Sequence, residues 1–156
     1  MPKATKRIAG VVSLQLRHLE VLFDDPWTIE IGQHNDFPFA ESKRIRIANP
    51  VGFLAHRILI HRKRTRQKFA KDVLYIHDTL ETFGAQLEEL KAEWNTKIKR
   101  RVHAKSVRKI ERGAADLFGE VNNEIREAVQ MDGARNLSPE TVRERCNFGL
   151  RQIFGN

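Results

Sequence analysis

The sequence predicts an α+β fold: a small antiparallel N-terminal sheet of about three strands, then a helical bundle of about five helices. Three observations lead there. Apolar and polar residues alternate in short runs between residues 11 and 47. From Phe69 onward the apolar residues recur at spacings of three and four, the period of a helix with one buried face. Asn49-Pro50 and Ser138-Pro139-Glu140 are helix starts, with a capping side chain followed by a proline whose missing N–H costs nothing in the first turn. The chain accordingly divides into a basic tail over 1–10, a small β-sheet over 11–48 and a helical bundle over 49–156.

Taken in order, Leu14, Leu16, Leu19, Val21 and Phe23 alternate with polar residues, with a phase slip near Arg17-His18 that reads as a bulge or bend. Asp24-Asp25-Pro26 is a turn, and Trp27 to Ile31 is a second strand, so the two runs suit an antiparallel hairpin. Residues 32–42 hold Gly, Asn, Asp and Pro and read as a loop, and Arg44-Ile45-Arg46-Ile47 as a short third strand. Asn49-Pro50 opens the first helix, whose inner face is Phe53, Leu54 and Ile58, with His56 and Arg57 off that face. Phe69, Val73, Ile76, Leu80 and Phe83 define the second helix, and Leu87, Leu90, Trp94 and Ile98 the third. Val107 through Ala128 reads as one long fourth helix containing Gly113 and Gly119. After Asp132-Gly133, Ser138 caps a last helix with Val142, Cys146, Leu150 and Ile153 as its stripe.

Composition excludes several classes. The apolar runs are far too short for a membrane span, and the basic start is not followed by the apolar stretch of a secretory signal; a cytoplasmic protein is expected. The single cysteine, Cys146, rules out an intrachain disulfide and a cysteine-based metal site, and its helical apolar context makes it a core residue. The six histidines form no H-E-x-x-H pair, so no metal site is expected. Lys plus Arg number 28 against 20 Asp plus Glu, a net charge of +8, which attracts polyanions.

That excess is concentrated. Between residues 56 and 72 there are seven Arg or Lys (57, 62, 63, 64, 66, 68 and 71) against one acid, Asp72. Cations at the end of the first helix complement its dipole, which accounts for one or two of them. The rest repel one another unless an anion compensates. His56, Arg57, Arg62, Arg64, Lys68, Lys71 and Asp72 are therefore candidates for binding nucleotide phosphates, with Asp72 either an i,i+4 partner of Lys68 or a carboxylate that orients a lysine or arginine. A second run, Lys97, Lys99, Arg100, Arg101, His103, Lys105, Arg108, Lys109 and Arg112, spans the junction between the third and fourth helices. Lys97, Arg100, Arg101, Lys105 and Arg108 are its candidates for contact with a nucleic-acid backbone, the alternative being a solvated face. Trp27 and Trp94 read as core residues.

Asn49-Pro50, then His56-Arg57-Ile58-Leu59-Ile60, a basic turn, Lys68 and Lys71-Asp72-Val73 together resemble the C-terminal half of bacterial minimal nucleotidyltransferases of the polymerase-beta-like fold, relatives of the abortive-infection toxins. Arg17-His18-Leu19-Glu20-Val21-Leu22 is similar to the family strand bearing the third active-site acid, which implies Glu20 as the residual catalytic acid. The resemblance covers roughly residues 15–83. The chain departs from the family in having no Gly-Ser turn and no Asp-x-Asp pair, and in carrying His56-Arg57 where the family has His-Lys, a change that is not neutral. Two magnesium ions need several carboxylate oxygens, which Glu20 alone does not supply.

The resemblance therefore implies a nucleotidyltransferase-like partial unit that binds a nucleotide or nucleic acid and is inactive alone. Mg²⁺ with a nucleoside triphosphate would act only once a missing N-terminal half, or a protein partner supplying it, completes the site. The alternative is a non-catalytic helical module that binds nucleic acid or an acidic partner. A toxin–antitoxin component is a third reading, carried by the family analogy alone.

Overall fold

The computed structural model describes the backbone of residues 5–8 and 11–14, and residues 18–32 and 41–155 in full. The fold is α+β. Strands β1 (Thr5–Ile8) and β2 (Val11–Leu14) pair antiparallel, and so do β3 (Trp27–Ile31) and β4 (Lys43–Ile47), in the register Trp27↔Ile47 to Ile31↔Lys43. Between the two ribbons lies a short helix α1 (Leu19–Phe23). The helical part comprises α2 (Pro50–Ile60), α3 (Arg66–Thr82), α4 (Leu87–Glu93), α5 (Lys99–Arg101), α6 (Ala104–Asp116), α7 (Asn123–Met131) and α8 (Pro139–Phe154). A π-helical stretch, Trp94–Ile98, joins α4 to α5.

Three expectations change. Leu19–Phe23 is helical rather than extended, and β3 pairs with β4 instead of with residues 11–23. A five-residue apolar segment satisfies both periods, because Leu19, Leu22 and Phe23 fit a helix as well as Leu19, Val21 and Phe23 fit a strand. The packing decides: Val21 is buried, and its carbonyl faces Gly52 of α2. A strand pair also occupies part of the first ten residues, which the sequence suggested were a tail. Lastly, the long fourth helix is two, because Asn122 accepts a hydrogen bond from the Ile125 N–H at 2.9 Å and so begins a new helix after Gly119. The phase slip at Arg17 and positions 33–40 of the expected loop lie outside the described residues.

The helix starts read from the sequence are present. Asn49 Oδ1 accepts the Val51 N–H at 2.8 Å, while its Nδ2 donates to the Asp25 carbonyl at 3.3 Å, so one side chain caps α2 and ties it to the turn before β3. Ser138 Oγ accepts the Thr141 N–H at 3.0 Å. The helical stripes meet in one core: Val73, Ile76 and Leu80 of α3, Leu90 and Trp94, Ile110 and Ala114 of α6, and Val142, Leu150 and Ile153 of α8. Trp94 packs edge-on against Phe154, with ring centroids 5.0 Å apart. Trp27 joins β3 to this core, edge-on against Phe83 at 5.5 Å. Cys146 is buried, and burial pushes its thiol well above the usual range, so it is a core residue and not a nucleophile. No helix among the described residues is long and apolar enough to cross a membrane.

Two glycines set helix crossings. A Cβ on Gly52 would lie 2.6 Å from the Val21 carbonyl oxygen, and one on Gly113 would run into the Ile58 side chain. Thus α1 sits directly on α2, and α6 directly on α2. An ionic cluster ties α3 to α8 and to the chain before it. Arg135 binds Asp78 and Asp132, and Arg145 binds Glu81. Desolvation pushes the Asp78 carboxyl upward, but hydrogen bonds from Arg135 and His77 outweigh it and hold Asp78 below its ordinary value.

Gly52→Ala is expected to destabilise the protein by about 1–3 kcal/mol, the usual cost of overpacking against an element that cannot yield; urea unfolding measures it. For Asp78 the sign follows from its depressed value: its contribution is complete above the unfolded carboxylate pKa of about 3.9 and is lost as pH falls through the lower folded value. Wild type and Arg135→Ala should therefore differ in unfolding midpoint at neutral pH, and the difference should shrink as pH falls through the depressed Asp78 value.

Candidate functional site

The basic run is organised around one carboxylate. Asp72, two turns into α3, is fully buried. Arg57 of α2 donates from Nη1 to its Oδ1 at 3.0 Å. Arg64 grips it bidentately, Nε to Oδ2 at 2.7 Å and Nη2 to Oδ1 at 3.0 Å. Local chain geometry makes this inevitable. Helix α2 ends at Ile60, a 3-10 turn spans His61–Lys63, Arg64 is extended, and α3 begins at Arg66. The reversal puts Arg57 and Arg64 on two sides of the same α3 position. The hydrogen bonds to Asp72 raise the Arg64 pKa above its ordinary value, with desolvation opposing. Arg57 is further held by aromatic rings, its guanidinium carbon 4.6 Å from the Phe53 centroid and 5.6 Å from that of Tyr75.

Arg64 also lines a concavity of about 670 Å³. One wall is the turn between α2 and α3, with Arg62, Lys63, Arg64 and Arg66; the other is α6, with Lys109 and Arg112. Ile58, Leu59, Phe69 and Leu117 form an apolar floor, and Asp116, Asn122 and Glu124 close the end toward α7. Arg66 is paired with Glu127 at 2.9 Å. Among the described residues Arg62, Lys63, Lys109 and Arg112 have no acidic partner. A site of this volume and mixed lining is in the range that takes a small ligand.

The structure brings Arg57, Arg64 and Asp72 together and puts Arg62 in the concavity beside them. Lys68 and Lys71 are exposed on α3 and do not line it. Asp72 is the carboxylate that orients arginines, and Lys68 is not its partner. His56, expected off the inner face, is 8% exposed beside Leu54, Ala55 and Ile58, which leaves it little surface to offer a ligand. In the second basic run, Lys97 is bound by Asp25 and Glu93, each at 3.3 Å, and Arg101 by Asp24 at 2.9 Å. Those two therefore serve as ionic ties from the π-helical stretch and α5 to the turn before β3, while Arg100, Lys105 and Arg108 are exposed.

Glu20, expected on a strand, lies on α1, exposed and 3.5 Å from His18 Nδ1. Among the described residues the group of three metal-type donors that converges is His77, Asp78 and Glu81, and Arg135 and Arg145 already hold its acids. Among the described residues Glu20 belongs to no such group, whereas a magnesium ion needs several oxygens on one point. Sequence reasoning left Tyr75 out of the candidate sets, and placed Lys109 and Arg112 in the second basic run without joining them to the α2–α3 surface. The ring of Tyr75, 50% exposed, lies one turn beyond Lys71 on α3, and that i,i+4 spacing was the available signal. Lys109 and Arg112 had none beyond their charge, because their place depends on α6 crossing α2.

A family model described as Nucleotidyltransferase matches residues 1–99. The match spans more than half of the chain, which therefore belongs to that family. No curated protein and no solved structure matches it.

Removing the buried carboxylate leaves two arginines facing each other. Asp72→Asn is expected to destabilise the fold by about 3 kcal/mol, the lower end for a broken buried pair because both arginines also reach solvent. Denaturant unfolding at neutral pH measures it.

Proposed function

We propose that this member of the nucleotidyltransferase family is a partial catalytic unit that binds the phosphates of a nucleotide or nucleic acid over α2 and α3, and that it transfers no nucleotide alone. The observation that carries this reading is the fork of Arg64 on Asp72. A guanidinium has five N–H donors; Asp72 takes those of Nε and part of Nη2 and leaves the remaining edge toward the concavity. Such an arginine is fixed before the ligand arrives, so less ordering entropy opposes binding. Arg57 is held the same way between Asp72, Phe53 and Tyr75. Lys68 and Lys71 then add exposed point charges on α3, and Arg62 another at the turn.

Two further facts favour a unit that does not turn over unaided. The sequence has neither Gly-Ser nor Asp-x-Asp, and Glu20 belongs to no convergent set of acids among the described residues. Mg²⁺ would act here only if acids from elsewhere, on another segment or a protein partner, were brought to the site. The second reading is a helical module that binds nucleic acid without catalysis. It is favoured by Arg100, Lys105 and Arg108, which are exposed and have no acidic partner among the described residues.

Isolated protein with Mg²⁺ and each nucleoside triphosphate is expected to give no labelled product, and any turnover overturns the proposal. In calorimetric titration the triphosphate should bind saturably, and Lys71→Ala should weaken it by roughly tenfold, the worth of one charged hydrogen bond. Binding that is steep in salt, and indifferent to Lys71, supports the second reading instead.

A further inference from the structure

We infer that the concavity between the α2–α3 turn and α6 is a binding site for single-stranded nucleic acid, with a nucleotide unit over its apolar floor and the adjoining phosphodiesters along α6. The inference rests on the reading of the α2–α3 surface as phosphate-binding, and it names the ligand class and adds a second wall.

The cations of the α2–α3 turn and those of α6 lie about forty residues apart in the sequence, yet they line one concavity. Ile58 of α2 and Gly113 of α6 meet where no Cβ fits. The His61–Lys63 turn follows Ile58 by one helical turn, Lys109 precedes Gly113 by one, and Arg112 is the residue directly before Gly113. The crossing therefore sets the cations of the turn opposite those of α6, across the concavity they line.

The charge extends beyond the concavity. Lys105, Arg108, Lys109 and Arg112 stand at i, i+3, i+4 and i+7 on α6 and share one exposed face, about 10 Å long at 1.5 Å per residue. That length spans more than one phosphate even of a strand more extended than the ~3.4 Å axial spacing of a stacked one, and exceeds the needs of a lone phosphate. Leu59 and Leu117, both half-buried, offer an apolar surface for one base, over Ile58 and Phe69, which are almost wholly covered. Asp116 and Glu124 at the far end repel a phosphate and set the polarity of the track, so the strand enters from the Lys105 side and stops short of α7.

The test uses the full chain and a fluorescein-labelled oligodeoxythymidylate, followed by anisotropy at low and moderate salt. The strand should bind. Lys109→Ala/Arg112→Ala, both at exposed positions, should weaken binding by about tenfold or more and lower the slope of log affinity against log salt by about 1.4, two phosphates at ~0.7 each. Asp116→Asn should tighten binding. Wild-type affinity and slope in the double variant would end the proposal, as would a duplex of equal length binding as tightly with the same dependence on Lys109 and Arg112. Complete displacement of the strand by a nucleoside triphosphate at its own binding concentration, with the α6 variant unaffected, would also end it and leave a mononucleotide site. Because Lys71→Ala reports triphosphate binding separately, strand binding can fail while the α2–α3 reading stands.

Discussion

The Asp72 carboxylate is the constraint on which the basic half of the molecule depends. Buried without exposure on α3, it accepts three hydrogen bonds from Arg57 and Arg64. Desolvating a carboxylate alone is prohibitive, and desolvating it against two guanidinium groups is tolerable because each donates along a lone-pair direction. The same contact fixes how the chain turns between α2 and α3. Arg57 lies before the turn and Arg64 within it, so both must reach one oxygen pair on the helix that follows. What results is a pair of immobilised arginines, one leaning on Phe53 and Tyr75 and the other facing the concavity.

Around that node the net charge of +8 is divided unequally. Part of it is spent internally: Lys97 and Arg101 bind the Asp24-Asp25 turn, Lys99 binds Glu111, and Arg135 and Arg145 bind the acids of α3. These ties hold β3, α4, α6 and the chain before α8 to their neighbours. The remainder gathers at the α2–α3 turn and along the outer face of α6, where acidic partners are lacking among the described residues. A concentration of like charge maintained in a folded structure is a standing electrostatic cost, and it is one that a polyanion would remove.

Membership of the nucleotidyltransferase family fits this division of labour. Nucleotidyl transfer needs cations for the phosphates and carboxylates for a metal. The cationic part is well developed, while Glu20 stands on a short exposed helix without convergent acids. Asp24 and Asp25, the nearest acids along the chain, are engaged by Arg101 and Lys97. The role proposed for these residues is accordingly binding and orientation of phosphates.

The sequence by itself determined the fold class, the helix starts at Asn49-Pro50 and Ser138-Pro139, the apolar stripes of α3 and α8, and the core position of Cys146. Each is local: a cap, a proline or a period acts within one or two turns of chain. It also marked the run from Arg57 to Asp72, because so many like charges around one acid are unusual whatever the fold. Only the tertiary structure decided what periodicity left ambiguous. Leu19–Phe23 became a helix because its backbone packs against Gly52; His56 turned inward; Lys97 and Arg101 became ties rather than contacts. The concavity itself belongs to that second group. Lys109 and Arg112 reach the α2–α3 turn because Gly113 lets α6 touch Ile58, and a contact between residues so far apart in the chain is fixed by the packing of the whole core, which no local pattern encodes.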